Sequence, residues 1–343
     1  MMHWRTAMTG GRWLLALTLA LSLAGCITVN TPLSGGGDDS LHESVIRGTG
    51  AAKIVWLPID GFISSHPSSQ ALGLVQREST LTRIERALNK AGDDPDVKAV
   101  VLAIDSPGGT VAASDAIYHR IKTFEAETGI PVIAHLDGVA ASGGYYVAMS
   151  ANRLIAAPTT ITGSIGVIIA NVNAAGLMDK IGLTDTSVTS GAHKAILSPL
   201  RPPAPDDRAI VQQVVDGLYQ RFVAVVQANR PNLDQDRLAT ITDGRIFTAR
   251  AAQQLGLVDT IGYRDDAIDA ARAAAQLPSA RVVRYYQGAT PPRTLSAHAG
   301  AAGLGGASAS STPGVDALSA LLAARSGMDG TTPLYLWRGA ARY

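Results

Sequence analysis

Cysteine is almost absent: Cys26 is the only one in 343 residues. No disulfide can therefore close within the chain, and the fold must rest on its apolar core alone. Charge is scarce as well. Charged residues make up 17% and the net charge is +1, below the roughly one quarter usual in a soluble domain. No basic stripe interleaved with aromatics appears, so the chain lacks the footprint of a nucleic-acid binder. There is no acidic tail, and no motif for a metal or a nucleotide, so neither metal nor cofactor is expected. Long apolar runs are missing too. The stretch Trp13 to Ala24, WLLALTLALSLA, falls short of the ~20 residues that cross a bilayer.

That short run has a setting of its own. His3, Arg5 and Arg12 precede it and Leu23-Ala24-Gly25-Cys26 ends it, the layout of a signal peptide with a positive start and an apolar centre. The last four residues resemble the lipobox of bacterial lipoproteins. Residues 1–25 are then expected to be removed and Cys26 to be lipidated. Several acyl chains on one residue anchor firmly, at about 0.8 kcal/mol per buried CH₂. Residues 26–50, polar and glycine-rich, read as a flexible tether. The expected location is the cell envelope, lipid-anchored and facing the periplasm or another extracytoplasmic space, with inner and outer membrane both open.

From residue 51 to 288 the pattern is that of a folded domain. Val97 to Ile104 (VKAVVLAI) is a continuous apolar run rich in β-branched residues, which suits a parallel strand covered on both faces. Residues 54–63 form a strand-like run interrupted by Pro58 and Gly61. Further strands are expected at 131–136, 154–156, 165–170, 184–188 and 281–286. Helical spacing appears at 79–91, 111–127, 142–151, 206–229, 234–241, 248–255 and 264–276. The alternation predicts an α/β fold with a mostly parallel sheet. Residues 289–343, dominated by Ala, Gly, Ser, Thr and Pro, bury too little to offset ordering entropy and read as a largely disordered tail.

Two stretches carry chemistry. Asp105-Ser106-Pro107-Gly108-Gly109 follows the strand 97–104. Glycines at the carboxyl end of a strand leave backbone N–H groups uncovered where an open α/β sheet binds its ligands. The second stretch is Asp137 to Tyr146 (DGVAASGGYY). Here Ser142 stands between a strand and a helix among small residues, an arrangement with the logic of a nucleophile elbow. A plain helix N-cap reads equally well from this stretch alone. A serine nucleophile needs a base. His135 and His193 stay open for that role, and so does Lys194, in Ser190-Gly191-Ala192-His193-Lys194, provided that its surroundings desolvate it.

Taken in order, Ser-Pro-Gly-Gly (106–109), Ala-Ala-Ser-Gly-Gly-Tyr-Tyr (140–146), Thr-Gly-Ser-Ile-Gly-Val (162–167), Ser-Gly-Ala-His-Lys (190–194), Asp-Gly-Arg-Ile-Phe-Thr (243–248) and Ala-Gln-Gln-Leu-Gly-Leu-Val-Asp-Thr-Ile-Gly (252–262) resemble the signal peptide peptidase A family over roughly 53–286. The resemblance implies a Clp protease/crotonase-like fold of repeated β-β-α units and a serine endopeptidase with a Ser–Lys dyad. Ser142 would be the nucleophile and Lys194 the general base. Ser164 would orient the lysine, and the amides of Gly109 and Gly143 would form the oxyanion hole. Implied partners are signal peptides or other short apolar peptides, the membrane, and further copies of the chain that complete one another's active sites. The lipobox departs from the transmembrane anchor expected in the family, and the alanine-glycine tail has no counterpart there. Two rival readings use the same fold: a non-catalytic lipoprotein scaffold, and a crotonase-like acyl-CoA enzyme.

Overall fold

The computed structural model describes residues 40–70, 75–288, 290–295 and 332–337. From the amino end, β1 (His42–Gly48), β2 (Lys53–Ile63) and the small pair β3 (Ser68–Gln70) and β4 (Val75–Arg77) precede helix α1 (Thr80–Asp93). Then come β5 (Val97–Thr110), α2 (Val111–Thr128), β6 (Val132–Ala141), α3 (Gly143–Ala148), β7 (Arg153–Ala156) and β8 (Ile161–Gly163). Helices α4 (Ala175–Lys180), α5 (Pro205–Asn229) and α6 (Leu238–Ile241) follow, then β9 (Ile246–Thr248), α7 (Ala249–Gln254) and β10 (Thr260–Ile261). Helix α8 (Arg264–Ala274), β11 (Arg281–Tyr286) and β12 (Leu334–Leu336) complete the described elements. Leu41 and every described residue after it fall in one compact unit.

The main sheet runs β1-β11-β2-β5-β6-β7-β10, with β8 also beside β6, β9 beside β8 and β12 beside β5. Its central pairings are parallel. β5 explains why. Val100, Leu102 and Ile104 face a core with Ile84, Leu88, Ile117, Ile121 and Phe124 of α1 and α2. Ala99, Val101 and Ala103 face a second core with Ala267, Ile268 and Ala271 of α8. Helices on both faces are what a parallel sheet requires, and the α/β expectation holds.

Helix starts are set locally. Ser79 Oγ accepts from the Thr82 amide at 3.0 Å ahead of α1, and Thr110 Oγ1 accepts from the Ala113 amide at 3.2 Å ahead of α2. Each cap satisfies one amide that the first turn leaves unpaired.

Several segments differ from the sequence expectation. β2 continues through Pro58 and Gly61, with one irregularity between Asp60 and Phe62. β5 runs through Ser106-Pro107-Gly108-Gly109 to Thr110 instead of turning there. Residues 165–170 and 184–188 are not strands; Ile168 alone makes a bridge, to Leu334. Residues 42–48, inside the stretch expected as tether, pair antiparallel with β11. Leu334–Leu336, inside the stretch expected as disordered tail, pairs antiparallel with β5. Both are ordered by sheet edges that supply hydrogen bonds the segments cannot make alone. Among the described residues, no helix is long and apolar enough to cross a membrane.

Candidate active site

β6 delivers Ser142 to its place. The strand ends at Ala141 and α3 begins at Gly143, leaving Ser142 at the junction with φ 53° and ψ −117°. A non-glycine residue there is strained, at a cost on the order of 1–3 kcal/mol. The serine holds the N-cap position, yet its side chain caps nothing. The simple capping role is therefore excluded. The backbone is held firmly: the Ser142 amide donates to Gly163 O at 2.8 Å, and its carbonyl accepts from the Tyr146 amide at 2.8 Å.

Ser164 is placed by the neighbouring strand. β8 lies parallel to β6 with Gly163 opposite Ala141, so Ser142 and Ser164 leave adjacent strands at the same level. Ser164 shares the unusual backbone, with φ 52°, and its amide donates to Arg245 O at 2.7 Å.

The two glycine amides meet across the end of the sheet. A Cβ built on Gly143 would lie 3.0 Å from the Gly109 nitrogen and 2.5 Å from Ser114 Oγ. Only glycine lets the two chains approach so closely. Ser106 fixes the approach from behind: its Oγ donates to Gly61 O at 2.6 Å and accepts from the Gly108 amide at 3.1 Å. The same space contains the carbonyl oxygen of Tyr335 in β12. That oxygen is 3.0 Å from the Cβ position of Gly143 and 1.9 Å from that of Gly108.

The candidate bases are placed differently from one another. His135 is excluded by position. It points from β6 into the second core, its ring 5.9 Å from Trp56, and burial there lowers its pKa and keeps it neutral. His193 is half exposed, with Nδ1 2.8 Å from Oδ1 of the buried Asp207, and Arg201 is 3.5 Å from the same carboxylate. Lys194 lies in a turn, its amide donating to Gly191 O at 3.1 Å. It is exposed, so the desolvation that the role of base requires is not met within one chain. The apolar neighbours Ala195, Ile196 and Leu197 are themselves only partly covered and leave the ammonium in water. Among the described residues no hydrogen bond joins the side chains of Ser142, Ser164 and Lys194. Cys26 lies outside the described residues. No group of three or more His, Cys, Asp or Glu among them is placed to hold a metal ion.

Sequence reasoning missed Tyr335, Ser114 and the positioning part of Ser106. Ser114, fully buried at the start of α2, donates to Thr110 O at 2.9 Å and stands directly behind Gly143. A signal for β12 did exist. Leu334-Tyr335-Leu336-Trp337 is an aromatic and apolar run in a tail dominated by Ala, Gly, Ser, Thr and Pro.

Comparison with known proteins identifies the family. Residues 125–278 match peptidase family S49, and residues 77–162 match the Clp protease family. A protein of Enterococcus faecium described as a signal peptide peptidase SppA is 35% identical over 269 residues, which is 76% of each chain. A protein of Synechocystis described as a protease is 39% identical over 56% of this chain and 69% of its own length. The chloroplastic serine protease SPPA of Arabidopsis thaliana is 36% identical over 58% of this chain and 29% of its own. The elbow at Ser142, the facing glycine amides and a relative aligned over 76% of both chains lead to one assignment: the chain belongs to peptidase family S49, as a serine-type peptidase with a Clp-like α/β fold.

Proposed function

We propose that the chain is a membrane-anchored endopeptidase with a Ser142–Lys194 dyad that degrades cleaved signal peptides or other short, apolar, extended peptides. The observation that carries this reading is the strained, uncapped Ser142 beside the facing amides of Gly109 and Gly143. Ser142 Oγ attacks the peptide carbonyl while its proton passes to neutral Lys194. The Gly109 and Gly143 amides hold the developing oxyanion, and loss of one such donor typically costs ~10²–10³ in rate. Lys194 then gives its proton to the leaving amine. Water, deprotonated by the same lysine, hydrolyses the acyl-enzyme. Ser164 orients the lysine. The buried ring of Tyr146, in the helix that follows Ser142, packs on Phe222 and favours an apolar substrate.

A lysine serves as base only when desolvation favours its neutral form, and Lys194 is exposed in the single chain. A neighbouring copy supplies the missing cover in this reading, so the active enzyme is a homo-oligomer. Val172, Leu177, Ile181, Leu183 and Val188, all exposed, give that neighbour an apolar surface to meet. Lipidation of Cys26 anchors the assembly on the periplasmic or other extracytoplasmic side; labelled palmitate retained by Cys26→Ser would refute this part.

The assignment is tested by cleavage of unfolded casein and a leucine-rich signal peptide by the full chain, with Ser142→Ala, Lys194→Ala and His193→Ala beside it. Activity lost in the first two and kept in the third is the expected result. Loss in His193→Ala with retention in Lys194→Ala would transfer the base to His193, which the Asp207 contact favours. A folded, assembled parent that cleaves nothing leaves the scaffold reading.

A further inference from the structure

Where β5 passes the end of the sheet, its pairing is irregular on both sides. Against β2 the register jumps from Asp60 opposite Asp105 to Phe62 opposite Gly108. Against β6 it jumps from Ile104 opposite Leu136 to Ser106 opposite Ala140. Pro107 has no N–H to offer. A side chain makes up the missing bonds. Ser106 is fully buried, and its Oγ gives its one proton to Gly61 O at 2.6 Å while accepting from the Gly108 amide at 3.1 Å.

The same oxygen lies 3.5 Å from Gly108 O. At that distance it adds little as a hydrogen bond, but it fixes which way the peptide between Gly108 and Gly109 faces. A trans peptide is planar, with its C=O and N–H on opposite sides. Gly108 O on the side of Ser106 therefore puts the Gly109 N–H on the far side. That side is Gly143, whose Cβ position is 3.0 Å from the Gly109 nitrogen. Turning the plane over changes ψ of Gly108 and φ of Gly109, and glycine offers little resistance to either. Gly108 already sits at φ 103°, and a Cβ on Gly109 would lie 1.9 Å from Ile63 O. The close approach that demands glycine at both positions thus leaves their shared peptide free to turn.

We propose that Ser106 is a positioning residue of the oxyanion hole: its hydroxyl, anchored on Gly61 O, pins the Gly108 peptide so that the Gly109 N–H stays turned toward Gly143. This rests on the reading of Ser142, Gly109 and Gly143 as the reacting centre, so one arm of the test does not depend on cleavage. Ser106→Ala removes the hydroxyl and leaves the shape of the strand. The first arm is a crystal structure of the full-length variant beside that of the parent. The Gly108–Gly109 peptide is expected turned over, or in both orientations, with Gly143 in place.

The second arm is cleavage of the leucine-rich signal peptide. A donor correctly turned in one molecule in ten leaves about a tenth of the rate, and complete loss of a donor costs ~10²–10³. On that basis kcat should fall at least about tenfold with KM unchanged, the pattern of an interaction made only in the transition state. A merely weakened fold would lower the melting temperature and leave kcat of the folded enzyme as it was. Ser106→Cys, whose thiol is a weak donor and acceptor, should show a smaller turned fraction and a smaller fall in kcat. It carries both arms where Ser106→Ala fails to fold. An unturned peptide in the folded variants overturns the proposal whatever the activity, and so does an unchanged kcat with the peptide turned. A turned peptide in a variant whose parent cleaves nothing upholds the hold of Ser106 on Gly109 and removes the peptidase reading instead.

Discussion

At Ser142 the backbone itself carries a cost that the side chain's chemistry must justify. A φ of 53° with ψ of −117° is disfavoured for any residue with a Cβ and open to glycine. Ser142→Gly should therefore raise thermal stability, by about 1 kcal/mol, while abolishing peptidase activity. Ser142→Ala should lose the activity without that gain. Thermal melts of the two variants beside the parent check this directly. An unstrained elbow would show no difference between them. Ser142 was legible in the sequence as a candidate because small residues surround it, but its N-cap alternative was equally legible. Lys194 was legible only through its company of motifs. Its exposure was not, because apolar neighbours in a sequence do not reveal whether they fold over a side chain or lie beside it.

At the scale of elements, the joint between α5 and the β7–β10 corner is held by one ion pair. Arg230, at the end of α5 and buried, donates through two nitrogens to Asp259 at 3.0 and 2.7 Å and through Nε to Gly256 O. Asp259 also accepts from the Leu154 amide at 2.7 Å. Burial alone would raise the pKa of Asp259, but these hydrogen bonds and the guanidinium charge outweigh it and lower the pKa. Removing Arg230 leaves the carboxylate without its partner, so Arg230→Ala should cost about 3 kcal/mol. The lowered pKa also fixes the sign of a pH effect. Stability from the pair is complete above the ordinary carboxylate pKa of about 4 and is lost as pH falls through the lower, folded value. Melts between pH 5 and pH 2, on the order of that range, should therefore fall more steeply for the parent than for Arg230→Ala.

Legibility followed the same physics at this scale. β5 up to Ile104 was readable because a strand covered on both faces must be apolar throughout. Its continuation over Pro107, Gly108 and Gly109 was not. Those residues signal a turn locally, and only the flanking β2 and β12 draw them into the ladder.

For the whole molecule, several large apolar side chains are left open. Val172 is 82% and Val188 97% exposed, far from the usual lot of valine. If assembly covers these side chains and Lys194 together, specific activity should fall on dilution below the dissociation constant of the oligomer. Val188→Asp should give a folded single chain with little activity. Sedimentation velocity run beside the peptidase assay checks both, and full activity in a monomeric Val188→Asp would remove the requirement for a neighbouring copy.

The strand β12, whose Tyr335 carbonyl lies beside Gly108 and Gly143, also has a position in time. β12 joins β5 from roughly 225 residues further along the chain, and contacts so distant in sequence form late. A chain made amino end first has the strands that hold Ser142 before β12 is available to pair with β5. The elbow that carries Ser142 is thus built before the strand that comes to lie beside it.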